Sequence, residues 1–201
     1  MADTGAPWNI PFAEPADLVR DWPALSEDVA DAVAAGLTAA GNAGIGSNVQ
    51  HALLDTTFSA SLTEGDETSI TGLSVNFTPT TATSKVLVLV HIGTMGNSRP
   101  RAAASVRLYR DSTRLAPANL GLRLGVNASN FIPNTDAASR LGVAFMYLDD
   151  PQTTSQLTYD VRMVNNDTGT RNVFINRNNS DSDAVFQART NSTITCIEVA
   201  A

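Results

Sequence analysis

The sequence predicts a mainly β protein: an antiparallel jelly-roll sandwich head, preceded by an extended proline-rich N-terminal arm and one short α-helix. Three observations favour this fold class. Charged residues are only 16% of the 201 residues, well below the usual quarter of a globular chain. From about residue 55 the apolar positions alternate with a period of two, which is typical of strands. Four prolines interrupt the first 23 residues, where regular structure is therefore disfavoured.

Residues 1–23 form the predicted arm. Its apolar side chains are interleaved with the prolines, and such a stiff strip buries much area at a low entropic cost when it docks. We expect it to dock on a partner chain, with packing against its own domain as the alternative. The predicted docking residues are Trp8, Ile10, Phe12, Leu18 and Trp22.

Residues 24–52 are predicted to hold a short amphipathic helix and a glycine-rich linker. The helix is expected to begin at Asp21 or Trp22 and to end at the glycine-rich residues 41–46. Its apolar residues recur at intervals of three and four and form one narrow stripe. The stripe either packs on its own domain or gathers copies of the chain at a symmetry axis. Its predicted oligomerisation residues are Leu25, Val29, Val33 and Leu37.

Residues 53–201 form the predicted β head. Its most apolar segment, residues 85–92, has valines and an isoleucine on one face and Leu87 and Leu89 on the other. A strand that is apolar on both faces is covered on both sides, either inside a sandwich or at a subunit contact. Leu87 and Leu89 are therefore also predicted to serve oligomerisation.

Charge and hydropathy exclude two classes of partner. The net charge is −7, with eleven acidic side chains and one basic in residues 1–70, so a general nucleic-acid binder is not expected. The longest apolar run, Val86–Val90, is too short to insert across a bilayer. With no basic and apolar leader at its start, the chain is expected to be soluble and made in a cytoplasm.

No pattern of residues indicates a catalysed reaction. Histidine and cysteine spacings for a metal site are absent, as are a nucleophile elbow and a phosphate loop. We therefore expect no enzyme activity, no cofactor and no metal. Cys196 is expected to be a buried, inert thiol. The segment Asp149–Pro151 is predicted to be a turn, because adjacent carboxylates on an extended chain point to opposite faces.

Four arginines are the candidates for contact with a host ligand. Guanidinium groups suit the phosphates and carboxylates of bacterial surface glycans, while a solvated sheet edge is the alternative role. The candidate residues are Arg99, Arg101, Arg107 and Arg110.

Several segments carry a resemblance to a known class of proteins. Residues 7–19 and 25–37 resemble N-terminal modules of tail-associated structural proteins from tailed bacteriophages. The body is similar to the C-terminal heads of such proteins, on the segments Phe77-Thr78-Pro79-Thr80, Tyr147-Leu148-Asp149-Asp150-Pro151 and Thr193-Ile194-Thr195-Cys196-Ile197-Glu198. The resemblance implies a virion protein assembled in the host cytoplasm, usually a homotrimer, with a head like those of tumour-necrosis-factor relatives. It also implies that residues 1–23 bind other virion proteins.

The resemblance leaves the place in the particle open. A short trimeric tail fibre or adhesin that presents its head to the host surface is the leading hypothesis. A trimeric capsid decoration protein is the alternative, because only about 30 residues separate arm from head and a ~17-residue helix reaches only ~25 Å. A carbohydrate-binding module and a glycan depolymerase are more distant alternatives.

Overall fold

The computed structural model of the chain describes residues 2–3, 11–12, 28–35, 48–99, 103–131, 141–185 and 187–199. The chain divides into two compact units, residues 1–47 and residues 48–199. In the first unit, strands β1 (Ala2–Asp3) and β2 (Pro11–Phe12) pair antiparallel. Helix α1 covers residues 28–35.

Part of the predicted N-terminal organisation falls on described residues. The helix α1 confirms that this segment contains a short helix, although the ends of the predicted span lie outside the described residues. On α1, Val29 is half-buried and Val33 is 38% exposed. Of the other predicted contact residues, the backbone of Phe12 belongs to β2. Its side chain lies outside the described residues, as do Trp8, Ile10, Leu18, Trp22, Leu25 and Leu37.

The second unit is an antiparallel β-sandwich of jelly-roll-like form, which confirms the predicted fold class. Its larger sheet contains β3 (Val49–Leu54), β4 (Phe58–Leu62), β6 (Lys85–Asn97), β10 (Leu141–Asp149), β12 (Arg171–Ile175) and β13 (Ser192–Val199). Its smaller sheet contains β5 (Glu67–Phe77), β7 (Ala103–Arg110), β8 (Thr113–Arg114), β9 (Ala128–Phe131) and β11 (Leu157–Val164).

The strand order places β6 at the centre of the larger sheet. The order is β3-β13-β6-β12-β4, and β10 pairs with the other side of β6. The smaller sheet has the order β5-β11-β7-β8, with β9 also paired to β7. The first strand of the sandwich begins at Val49, four residues before the start of the head predicted from the sequence.

The core lies between the two sheets and follows the period of two. On β6 the side chains of Val86, Val88, Val90 and Ile92 are at most 2% exposed, whereas Leu87 and Leu89 on the other face are half-buried. Cys196 of β13 is fully buried, and burial raises the pKa of its thiol to about 12. The thiolate is the reactive form of cysteine, so this thiol is inert at neutral pH.

A buried glutamate fastens the end of β13 to two neighbouring loops. Glu198 is 2% exposed, and its carboxylate accepts hydrogen bonds from the amide of Asn48 and from the backbone N–H and hydroxyl of Thr80, at 2.6–3.0 Å. Burial alone would raise the pKa of Glu198, but hydrogen bonds from Ser84, Thr80 and Asn48 outweigh it and lower the pKa to about 2. The ionised form is therefore the one that the fold stabilises.

This carboxylate gives the sandwich an acid-sensitive contribution to stability. Because the folded pKa lies below the unfolded value, the contribution is complete above about pH 4.5 and is lost as the pH falls toward 2. We expect Glu198→Gln to lower the free energy of unfolding at pH 7 by on the order of 1–3 kcal/mol and to flatten its decline below pH 4.5. Urea unfolding measured between pH 7 and 2 tests this. The exposed Glu64, changed to glutamine, is the control, and an equal loss there would contradict the assignment.

Candidate functional site

The outer face of the smaller sheet is polar, and its charges are satisfied within the domain. Arg107 donates to Glu67 at 2.6 Å and to the carbonyl of Gly125 at 2.8 Å. The guanidinium of Arg162 lies 3.7 Å from the ring centroid of Tyr109 and binds Asp160 at 2.9 Å. The charged groups of this face are therefore paired with one another within the domain.

The outer face of the larger sheet has the opposite character. Residues directly opposite each other on antiparallel strands project to the same face of a sheet. The register therefore brings the outward side chains of four neighbouring strands onto one surface. Met146 of β10 lies opposite Leu89 of β6, which lies opposite Thr195 of β13, and Thr195 lies opposite His51 of β3. We call this surface the apolar face. Its members are Val49, His51, Leu53, Leu87, Leu89, His91, Ala144, Met146, Leu148, Thr193, Thr195 and Ile197.

The apolar face is exposed and carries no carboxylate, lysine or arginine among its members. Met146 is 73% exposed, Leu53 and Leu148 are each 52% exposed, and Val49 is 45% exposed. Four strands about 4.8 Å apart with three outward residues each cover roughly 400 Å². Eight of the twelve members are apolar, and the largest exposed apolar patch of a protein is often a contact site. Lys85 stands at one end of the β6 row.

A hollow lies within the apolar face, between β6 and β10. Its volume is about 300 Å³, and it is lined by Leu89, Val90, His91, Ala144, Phe145, Met146 and Thr193. The strand β10 pairs with β6 on one side, and along its other side no strand pairs with it among the described residues.

The two histidines both lie on the apolar face. His51 shares a hydrogen bond of 2.9 Å with the hydroxyl of Thr195, and His91 stands at the edge of the hollow. Within the described ranges, no three histidine, cysteine or acidic side chains are grouped as a metal site would require. The apolar face is therefore a surface that can bury apolar side chains against another molecule.

Comparisons with known proteins found a weak similarity to solved structures and nothing at the level of sequence. The chain matches no family model and no curated sequence. Among solved structures, it is similar to a chain in the structure of infectious bursal disease virus, Gx strain. The TM-score is 0.34, the identity is 9%, and 78% of this chain is covered. It is also similar to the VP2 subviral particle of that virus, with a TM-score of 0.34, 11% identity and 78% coverage. The chain covers 39% and 38% of those two chains.

Three of the four predicted ligand-contact arginines are described, and each lies apart from the apolar face and pairs with a carboxylate of the same domain. Arg107 is 5% exposed and paired with Glu67, as described above. Arg110 donates to both carboxylate oxygens of Asp149 at 2.8 and 2.9 Å. Arg99 is the exposed member and pairs with Asp167 at 3.0 Å, while Arg101 lies outside the described residues.

Two members of the apolar face, Leu87 and Leu89, were predicted from the sequence as contact residues, and the other members were not. A signal for Ala144, Met146 and Leu148 was present, because residues 141–148 are apolar on both faces, as residues 85–92 are. Val49 and Ile197 gave no comparable signal. They join the face only because β3 and β13 pair beside β6. In the part of the chain that the structure describes, no helix is long and apolar enough to cross a membrane.

Proposed function

We propose that this chain is a non-enzymatic structural subunit of a bacteriophage virion. In this proposal the head assembles with copies of itself through the apolar face, and residues 1–23 dock on another virion protein. The preferred form is a short trimeric tail fibre or adhesin with its head directed at the host surface. The resemblance of residues 7–19 and 25–37 to phage tail-associated proteins supports the arm's role.

One observation carries the proposal: the apolar face is exposed in a single copy while the outer face of the other sheet is polar. Leaving Met146, Leu148 and Leu53 in water forfeits about 25 cal/mol for each Å² of apolar surface, so covering them stabilises an assembly. A second copy of the chain is the occupant that fits best. The centre of the apolar face carries no charged side chain, so it suits a partner surface that is also uncharged. A second copy of this chain can provide such a surface.

Light scattering of the purified chain at micromolar concentration tests the assembly. We expect a particle of three times the 21.2 kDa chain mass, since trimers are the closed form that the resemblance implies. A monomer would overturn the proposed assembly but not the fold.

The location in the particle needs a separate measurement. Antibodies raised against residues 48–199 should label purified phage particles, at the tail if the protein is a fibre and over the capsid shell if it is a decoration protein. Particles that carry none of this protein would contradict a virion role.

A further inference from the structure

We infer that neighbouring copies are joined by a loop-into-hollow contact, in which the tip of the loop between β8 and β9 of one copy inserts into the hollow on the apolar face of the next. The tip residues are Leu120 and Leu122. This inference rests on the proposed assembly and specifies how the copies meet. It commits the hollow to one occupant, a second copy of this chain.

The tip of this loop exposes two leucine side chains to solvent. Leu122 is 102% exposed and Leu120 is 72% exposed, although both belong to a folded, hydrogen-bonded turn. The N–H of each of Leu120 and Arg123 donates to the carbonyl of the other, at 3.0 and 3.1 Å. Gly121 has a φ of +60°, which suits the first central position of a type II′ turn. The turn thus fixes two leucines in an outward position.

The base of this loop is held rigidly. The side-chain oxygen of Asn119 accepts hydrogen bonds from the N–H of Gly125 at 2.9 Å and from Arg114 at 3.2 Å. Gly125 lies very close to the other side of the loop. A Cβ at this position would stand 1.8 Å from the carbonyl oxygen of Pro117. Arg107 also binds the carbonyl of Gly125. A loop ordered in this way loses little conformational entropy when its tip is bound.

The hollow matches the tip in chemistry and in size. The outward side chains around it are mainly apolar, with Leu89, Ala144 and Met146 as the apolar members and His91 and Thr193 beside them. A cavity of ~150 Å³ can hold a benzene ring, so the hollow of about 300 Å³ has room for the leucine side chains of the tip. Arg123 beside the tip is exposed and would remain at the wet rim of the contact.

A projecting tip and a hollow on different parts of one chain produce a head-to-tail contact between copies. Such a contact generates a ring when the rotation between copies closes. A face-to-face contact, by contrast, would bring Met146 of one copy against Met146 of the other. The two arrangements therefore differ in which residue lies against Met146, and this difference can be measured.

Disulfide cross-linking of the full chain tests the inference. The double variant Leu122→Cys with Met146→Cys, oxidised and run without reductant, should yield dimers and trimers. Their yield should exceed that of the control pair Val185→Cys with Met146→Cys at least about tenfold, since contacting thiols have millimolar effective concentrations. Val185 is 103% exposed on another loop, and Cys196 is fully buried and supplies no background. All three substituted side chains are exposed, so the variants should fold.

Each remaining outcome is informative when light scattering is measured on the same samples. An assembly without cross-links above the control would overturn this inference and leave the proposed assembly intact. Cross-linking of Met146→Cys alone would show a face-to-face contact, and a cross-linked band of monomer mass would show a contact within one chain; both overturn the inference. A monomer in light scattering would overturn the inference and the assembly together.

Discussion

Replacing Met146 with glutamate should leave the sandwich folded and convert the assembly to monomers. Met146 is 73% exposed in the single chain, so the variant's free energy of unfolding should change by no more than about 0.5 kcal/mol. In the proposed assembly the same position would be buried against an apolar partner, where an unpaired carboxylate costs several kcal/mol. We expect the dissociation constant to rise by about 100-fold or more, measured by light scattering or analytical ultracentrifugation across a dilution series.

Val185→Glu supplies the matched control for this substitution. Val185 is 103% exposed and lies in the loop between β12 and β13, so the variant adds the same charge away from the apolar face. It should assemble as the unchanged chain does. If Met146→Glu assembled as tightly as Val185→Glu, the apolar face would not be the contact surface.

Replacing Asp149 with alanine should destabilise the sandwich by about 3 kcal/mol. Asp149 is 5% exposed at the end of β10 and accepts both hydrogen bonds from Arg110 described above. It also accepts a hydrogen bond of 2.7 Å from the hydroxyl of Tyr159, which is fully buried. Burial, followed by the bond to Asp149, raises the pKa of that tyrosine, so its hydroxyl stays protonated. The alanine variant leaves this hydroxyl and a partly buried guanidinium without their partner.

The adjacent Asp150 gives the control for the stability measurement. It is exposed, so Asp150→Ala should change the free energy of unfolding by at most about 0.5 kcal/mol. Asp149→Asn keeps the shape and one acceptor and should lose about half as much as the alanine variant. Thermal unfolding should show a fall of roughly 6–12 °C for Asp149→Ala. Equal shifts at the two positions would contradict the role assigned to the buried carboxylate.

The different environments of Asp149 and Asp150 could not be predicted from the sequence. The segment Asp149–Pro151 was predicted to be a turn, and nothing in its residue types distinguishes Asp149 from Asp150. The distinction comes from pairing: β10 aligns Asp149 with Val86 on the core side of the sheet, beside strands that are distant in the chain. Arg110 was likewise predicted as a ligand contact, and only tertiary packing brings it to Asp149.

The apolar face is a second feature that the sequence predicted only in part. The alternation over residues 85–92 predicted that Leu87 and Leu89 would be covered by a second layer or a second subunit. In the structure they project outward from the core. The breadth of that surface could not be predicted, because it depends on which strands lie beside β6. The roles of the arm residues and of the α1 stripe in oligomerisation stay predictions.

The sequence by itself determined the strand-rich fold class, the presence of a short helix in the N-terminal segment and the two-faced apolar strand at residues 85–92. These features depend on local periodicity and on proline, which act within a few residues of the chain. Only the tertiary structure decided that Val49, Leu89, Met146 and Ile197 share one surface and that the charges of the smaller sheet neutralise one another. Strand pairing is responsible, since it aligns residues up to about 150 positions apart, and the free energy of covering an apolar surface depends on that alignment.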